Sequence, residues 1–469
     1  MKRCILLFLI FHLSLILSHA EVHLPAFFSN NMVLQQQTEC HLWGTADKDK
    51  TVSVTTSWDG KTYRTKAQGN GEWSLAIQTP KAGGPYTITF DDGKKYQLSN
   101  ILIGEVWLCS GQSNMEMPIK GFKMQPVEGA TEVLLDCTDS SLRLFTVKRN
   151  PQLTPQRDVF GVWNEATTAS VREFSATAYF FGKTLRRQLG VPVGLVCTSF
   201  GGSACEAWMK ADWLKAFPQV TLPTDEEDVK KRQQRCPTAL YNGQLHPLIG
   251  YGIRGAIWYQ GEDNVPRHDY YAPLLSRMIR GWREEWNQGD FPFYYCQIAP
   301  YDYSLIDWGQ YNSALLREQQ AKVETMVDNC RMAVLMDVGL EYGIHPRKKR
   351  EAGERLALLA LANTYHVKGL PDFATYSNVT FQGDTAVVAF DRSKEWVYFE
   401  HGPHSNNFEI AGEDRIFHPA ETWISRNRVY VKSDKVKKPV AVRYAFKDWV
   451  VGDLMHDGLP VSSFRTDNW

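Results

Sequence analysis

A chain of 469 residues exceeds the roughly 100–200 residues of one ordinary domain and points to two or three packed units. With 43% apolar and 12% aromatic residues against 22% charged ones, the composition excludes a disordered or low-complexity protein. Lys plus Arg and Asp plus Glu both number 52, and no basic stripe stands out that would neutralise a phosphate backbone, which argues against nucleic acid as a partner.

Met1, Lys2 and Arg3 precede an apolar run from Ile5 to Leu17, and Ser18-His19-Ala20 follows with small residues at the positions that cleavage requires. Residues 1–20 read as a secretory signal peptide, because the run falls short of the roughly 20 residues that span a bilayer. The mature chain then begins at Glu21, is exported, and holds no membrane segment. The expected location is periplasmic or extracellular in a bacterium, and the secretory or lysosomal pathway in a eukaryote. Eight of the nine cysteines remain after cleavage. Cys109, Cys197 and Cys296 lie in apolar strand-like runs and read as buried small hydrophobes, and one or two disulfides are expected among the others.

From 21 to about 100 the chain alternates with period two between turn signals, as in Thr51-Val52-Ser53-Val54-Thr55 and Tyr86-Thr87-Ile88-Thr89-Phe90. This predicts a small N-terminal β-sandwich. From 101 to 369 strand-length apolar runs alternate with helix-period segments. The predicted strands are Glu105 to Cys109, Val193 to Thr198, Ile253 to Tyr259, Phe293 to Ile298 and Met332 to Met336. The predicted helices are Ser175 to Leu189, closed by Gly190, then Tyr270 to Trp286, Ser313 to Met326 and Arg350 to Thr364. Such alternation implies an α/β unit with a mostly parallel sheet and helices on both faces. Residues 370–469 return to a β rhythm, and the charge run Asp225 to Arg232 reads as an exposed excursion.

Gly250-Tyr251-Gly252-Ile253-Arg254-Gly255 matches the dinucleotide fingerprint in letters but precedes a strand instead of linking a strand to a helix, so it is rejected. No metal motif occurs: His401 and His404 lack a Cys or carboxylate partner. Neither a cofactor nor a metal is indicated.

In a parallel α/β sheet the ligand crevice lies beyond the carboxyl ends of the strands. Four of the five predicted ends deliver polar chemistry: Ser110-Gly111-Gln112-Ser113-Asn114, Ser199-Phe200-Gly201-Gly202-Ser203, Gln260-Gly261-Glu262-Asp263-Asn264 and Gly343-Ile344-His345-Pro346. A serine hydroxyl needs a base to take its proton, and an imidazole suits that task near neutrality. Attack on an ester then creates an oxyanion needing two or three fixed donors. Ser113 is the candidate nucleophile and His345 the candidate base. The Ser113 N–H, a Gly201 or Gly202 N–H and the Gln260 or Asn264 amide are candidate oxyanion donors. No Gly-x-Ser-x-Gly elbow surrounds Ser113.

The ordered set Gly111-Gln112-Ser113-Asn114-Met115, Gly201-Gly202-Ser203 with Glu206-Ala207-Trp208, Trp258 to Asn264, and Ile344-His345-Pro346 resembles the sialate O-acetylesterases, a branch of the SGNH hydrolases. The resemblance extends over nearly the whole mature chain. It implies a flavodoxin-like catalytic domain over 101–369, no metal, and hydrolysis of O-acetyl esters of sialic acids or sialoglycans through an acyl-serine. Ser113 is then the nucleophile, His345 the general base, and the glycine pair with the Gln260 to Asn264 loop the oxyanion hole. SGNH relatives often carry an aspartate two or three residues before the histidine, where this chain has Gly343 and Tyr342. Glu341 and Asp337 are the nearby carboxylates that could orient His345, a backbone carbonyl being the alternative. Arg317 and Arg347 are candidates for holding a sialate carboxylate. Two other readings stay open: an esterase of another acetylated carbohydrate such as acetylxylan, and a catalytically silent carbohydrate-binding protein.

Overall fold

The unbroken apolar runs between 102 and 336 become neighbouring strands of one sheet. The computed structural model describes residues 22–306 and 312–469, so the expected signal peptide lies outside the described residues. In chain order the sheet uses β1 (Lys95–Gly111), β2 (Asp139–Thr146), β3 (Trp163–Ala166), β4 (Val193–Ser199), β5 (Gly255–Tyr259), β6 (Phe293–Cys296) and β7 (Cys330–Ala333). Their spatial order is β7-β6-β5-β1-β4-β2-β3, parallel throughout except for the edge pair β2 and β3. Every residue of β4, β5 and β6 is buried. A parallel sheet is covered on both faces, which is why these segments carry no polar alternation.

Four long helices supply the cover: α1 (Ala176–Leu189), α2 (Tyr271–Trp286), α3 (Asn312–Met326) and α4 (Lys349–Asn363). Helix α1 packs against α4, and α2 against α3. Right-handed crossovers, α1 leading into β4 on one side of β1 and α2 and α3 leading to β6 and β7 on the other, put α1 on the face opposite α2 and α3, and α4 joins α1. The bounds of α1 follow from local chemistry. The Ser175 hydroxyl accepts from Ala178 N–H at 3.1 Å, and Gly190, at φ +68°, closes the helix in the left-handed region.

The predicted change of unit near residue 100 falls inside β1, an uninterrupted strand of 17 residues. Its first half pairs with Gly83–Asp91, which continues to Thr51–Thr56 and Thr62–Lys66. A separate antiparallel pair, Glu39–Thr45 with Glu72–Gln78, forms a second β layer. Beyond the central unit, Thr375–Gln382, Thr385–Asp391, Arg428–Lys432 and Glu421–Ser425 make a four-stranded antiparallel sheet, and the segment adds one three-stranded and one further four-stranded sheet. Gln297 Nε2 donates to Ser462 Oγ at 2.7 Å and ties this β-rich segment to the central unit.

The expected disulfides are not formed. All eight described cysteines are buried and free; a chain of this length closes its core without covalent staples. The charge run becomes a short helix, Glu226–Arg232, capped by the Asp225 side chain on Asp228 N–H and seated through Val229. Among the described residues no helix is long and apolar enough to cross a membrane.

Candidate active site

β1 is flanked by β4 on one side and by β5 on the other, and the strand order reverses there, so the topological switch lies at the carboxyl ends of β1, β4 and β5. Ligands bind at such a point because the loops diverge and leave a crevice. A cavity of about 380 Å³ opens there, lined by Ser113, Gly201, Gly202, Glu262 and His345 among others. A larger cavity, about 880 Å³, lies at the amino ends of the strands beside Gly250, Arg254 and Pro292 and holds none of the predicted site residues.

Ser113 opens a single helical turn, Ser113–Glu116, at the end of β1. The turn requires Gly111, whose φ is +141° and whose added Cβ would lie 2.2 Å from the Tyr259 carbonyl oxygen. Gln112 N–H donates to that same oxygen at 3.0 Å. The Gln112 side-chain oxygen accepts from Gly261 N–H at 3.2 Å and Asp263 N–H at 3.4 Å. The serine turn is thereby fastened to the loop after β5.

His345 reaches the cleft from the loop before α4. Its Nδ1 lies 2.5 Å from Gln125 Oε1, and the Phe122 ring packs edge-on at 5.2 Å. An amide oxygen only accepts, so Nδ1 carries the proton and Nε2 keeps the free lone pair that a general base needs. Burial, with a smaller contribution from the Lys349 charge, pushes the imidazole down to about 4.

Neither carboxylate expected to orient His345 does so. Asp337 is committed to Arg355, with contacts of 2.7 and 2.6 Å to the guanidinium. Glu341 turns to the exposed Tyr342 hydroxyl, and its carbonyl accepts from Asp302 N–H. The partner is an amide supplied 220 residues earlier in the chain.

The two side-chain amides expected at the oxyanion site are also placed elsewhere. Gln260 and Asn264 are fully buried. Gln260 Nε2 donates to Ser203 O and to Asn264 Oδ1, at 3.1 and 2.7 Å. Asn264 Nδ2 donates to Glu206 Oε2 at 3.0 Å. Their N–H groups hold the glycine loop against the β5 loop instead of facing the cavity. Of the glycine pair, Gly201 N–H donates to Glu116 Oε2 at 2.8 Å, while Gly202, at φ +72°, lines the cleft.

Several charged groups of the cleft were not anticipated. Arg149 clamps Glu116 with contacts of 2.7 and 2.6 Å and stacks over Phe200 at 4.3 Å. Arg235 reaches Asp263 at 2.5 Å, and Arg267 meets the other oxygen of that carboxylate at 2.9 Å. Arg149 and Arg235 lie far from the recognised motifs and no sequence signal marks them, whereas Glu262 and Asp263 stand inside the Gln260 to Asn264 motif. Burial raises the Glu262 carboxyl above its ordinary range. The two arginines expected to meet a sugar carboxylate are not at the cleft. Arg317 is fully buried and donates to Ser463, Ser313 and the Lys447 carbonyl. Arg347 is an exposed residue outside the cavity lining.

Residues 103–357 match the family described as carbohydrate esterase, sialic acid-specific acetylesterase. The chain is 28% identical over 419 residues to the sialate O-acetylesterase of Rattus norvegicus, covering 76% of this chain and 74% of that one. Against the human sialate O-acetylesterase the identity is 28% over 395 residues, covering 76% and 72%. The crystal structure of a carbohydrate acetylesterase from Xanthomonas citri superposes with a TM-score of 0.87 at 35% identity, over 96% of this chain and 100% of that one.

Proposed function

Since the chain belongs to the carbohydrate esterase family of sialic acid-specific acetylesterases, and so hydrolyses acetyl esters of carbohydrates, we propose that Ser113 carries the acetyl group as an acyl-serine and that the sugar is a sialic acid. One observation carries this reading: Ser113, Gly202 and His345, from separate loops, line one cleft at the sheet's switch point.

Ser113 Oγ attacks the acetyl carbonyl carbon while its proton passes to His345 Nε2. The oxyanion is met by the N–H groups of Ser113 and Gly202, because Gly201 N–H is already engaged by Glu116. Collapse of the tetrahedral adduct breaks the bond to the sugar oxygen, which takes the proton from His345. Water then attacks the acetyl-serine with His345 again as base, and acetate leaves as Ser113 regains its proton. Without the outer strands β2 and β3, the order β4-β1-β5-β6-β7 corresponds to the 2-1-3-4-5 of flavodoxin-like sheets, which supports an SGNH-type enzyme. The charged and apolar pattern of residues 1–20 supports export.

A second reading, an acetylated neutral polysaccharide, is favoured by the pairing of Arg149 with Glu116 and of Arg235 with Asp263. Each guanidinium still has N–H groups for a sugar acid, but its charge is already balanced. Acetate release from O-acetylated sialoglycan and from acetylated xylan, measured for the wild type and Ser113→Ala, tests both parts. The variant is expected to fall by at least about 10³-fold on either substrate. Equal rates for variant and wild type overturn the acyl-serine, and a wild-type preference for xylan moves the substrate to the neutral class.

A further inference from the structure

The Asn114 side chain, 1% exposed, stands between the two halves of the cleft. Its Nδ2 donates to the carbonyl of Ile344, the neighbour of His345, at 3.1 Å and to Glu262 Oε1. Its Oδ1 accepts from Lys349 Nζ. Asn114 directly follows Ser113, so this one amide links the serine turn to the histidine loop. A flip of the amide would set NH₂ against the ammonium and oxygen against both the Glu262 carboxylate and the Ile344 carbonyl. Lys349 therefore selects the orientation in which Asn114 joins the two loops.

Lys349 is itself 1% exposed and sits at the first position of α4, with the Tyr259 ring 5.6 Å from its Nζ. Burying an ammonium is costly even with the Glu262 carboxylate acting on it across Asn114, and an apolar side chain of similar volume would fill the place more cheaply. Packing alone does not account for a cation here.

We propose that Lys349 is a positioning residue for the ester hydrolysis: through Asn114 it locks the Ser113 turn to the His345 loop. This rests on the assignment of Ser113 and His345 as nucleophile and base. Burial brings the Lys349 amine down to about 7, so it carries its charge throughout the acidic range in which His345 would protonate. The groups facing His345 from other elements are Gln125 and Phe122 from the loop after the serine turn, Glu116 and Arg149 across the cleft, and Arg235, Glu262 and Asp263 at its far wall. Lys349 itself faces the Glu262 carboxylate first and Cys296 of β6 second. Its charge opposes a second charge on His345, so its removal moves the imidazole upward.

The test is the pH profile of kcat/KM for acetate release, with kcat and KM measured separately, in Lys349→Met, Lys349→Gln and Lys349→Arg beside Ser113→Ala. Lys349→Met is expected to lower kcat about tenfold or more with KM little changed, and to move the acidic limb upward. Lys349→Gln keeps a donor for Asn114 without the charge: most of kcat returns while the limb stays displaced. Lys349→Arg keeps the charge and is expected to leave the limb where the wild type has it; should the Met variant fail to fold, the Gln and Arg pair carries the comparison. An acidic limb that stays in place when the charge is removed, or an undiminished kcat in Lys349→Met, overturns the proposal. If Ser113→Ala remains active, the nucleophile assignment fails instead, and the two failures are distinguishable.

Discussion

On the proposed assignment of His345 as base, Gln125 sets which side of its ring is available for chemistry. Its amide oxygen holds Nδ1–H, and burial with the Lys349 charge holds the imidazole at about 4. A base must be neutral to accept a proton, and a depressed value makes the neutral form the majority species above about pH 4. The acidic limb of kcat/KM is therefore expected near pH 4, well below the ~6.5 of a free imidazole. A limb at 6 to 7 in the wild type would contradict the half-buried, Gln125-bound histidine. That Ser113, Gly202 and His345 meet in one cleft was legible because such residue types at the ends of parallel strands converge on the switch point. Gln125 was not, because an amide in a loop carries no pattern and reaches His345 only through the tertiary fold. Gln260 and Asn264 misled for the converse reason: their loop was located correctly, but hydrogen bonds to Ser203 and Glu206 turn the amides away from the cavity.

Among the secondary-structure elements, β1 and β5 set the geometry of the serine turn by approaching each other at their carboxyl ends. Trp258 lies in register with Ser110, and Tyr259 with Gly111. The contact leaves no room for a side chain at position 111, where both the positive φ and the 2.2 Å approach to Tyr259 O exclude a Cβ. Gly111→Ala is expected to cost about 3 kcal/mol or more, read as a lowered midpoint in urea unfolding, and to reduce activity further by displacing Ser113. Wild-type stability in that variant would mean that the turn is not held by the β5 contact. The strands and long helices were legible from apolar run length and period, since burial on both faces of a parallel sheet writes itself into continuous apolar segments. Their ends shifted by a few residues, as at β7, where pairing with β6 begins at Cys330 and closes at Ala333.

For the molecule as a whole, the long strand β1 joins what the composition divides. The turn-rich rhythm before residue 100 and the α/β rhythm after it suggested a boundary, yet one strand serves the N-terminal sheet and the central sheet. Glu105 marks the junction. It accepts from Gln36 at 2.6 Å, Arg254 at 2.7 Å and Tyr365 at 2.6 Å, and the Arg254 charge and these hydrogen bonds hold its carboxyl below the ordinary range despite burial. No linker signal exists in such a junction, because the units share backbone pairing instead of being tethered. This scaffold brings three loops from distant parts of the chain to one cleft, and the central claim is that Ser113 in that cleft is the nucleophile of a carbohydrate acetylesterase. Labelling with an organophosphonate ester, followed by peptide mass analysis, tests it most directly. The account predicts one adduct, on the peptide carrying Ser113, formed in step with the loss of acetate release and absent in Ser113→Ala. An unlabelled Ser113 in protein that the reagent has inactivated, or an adduct on another residue accompanying that inactivation, would contradict it.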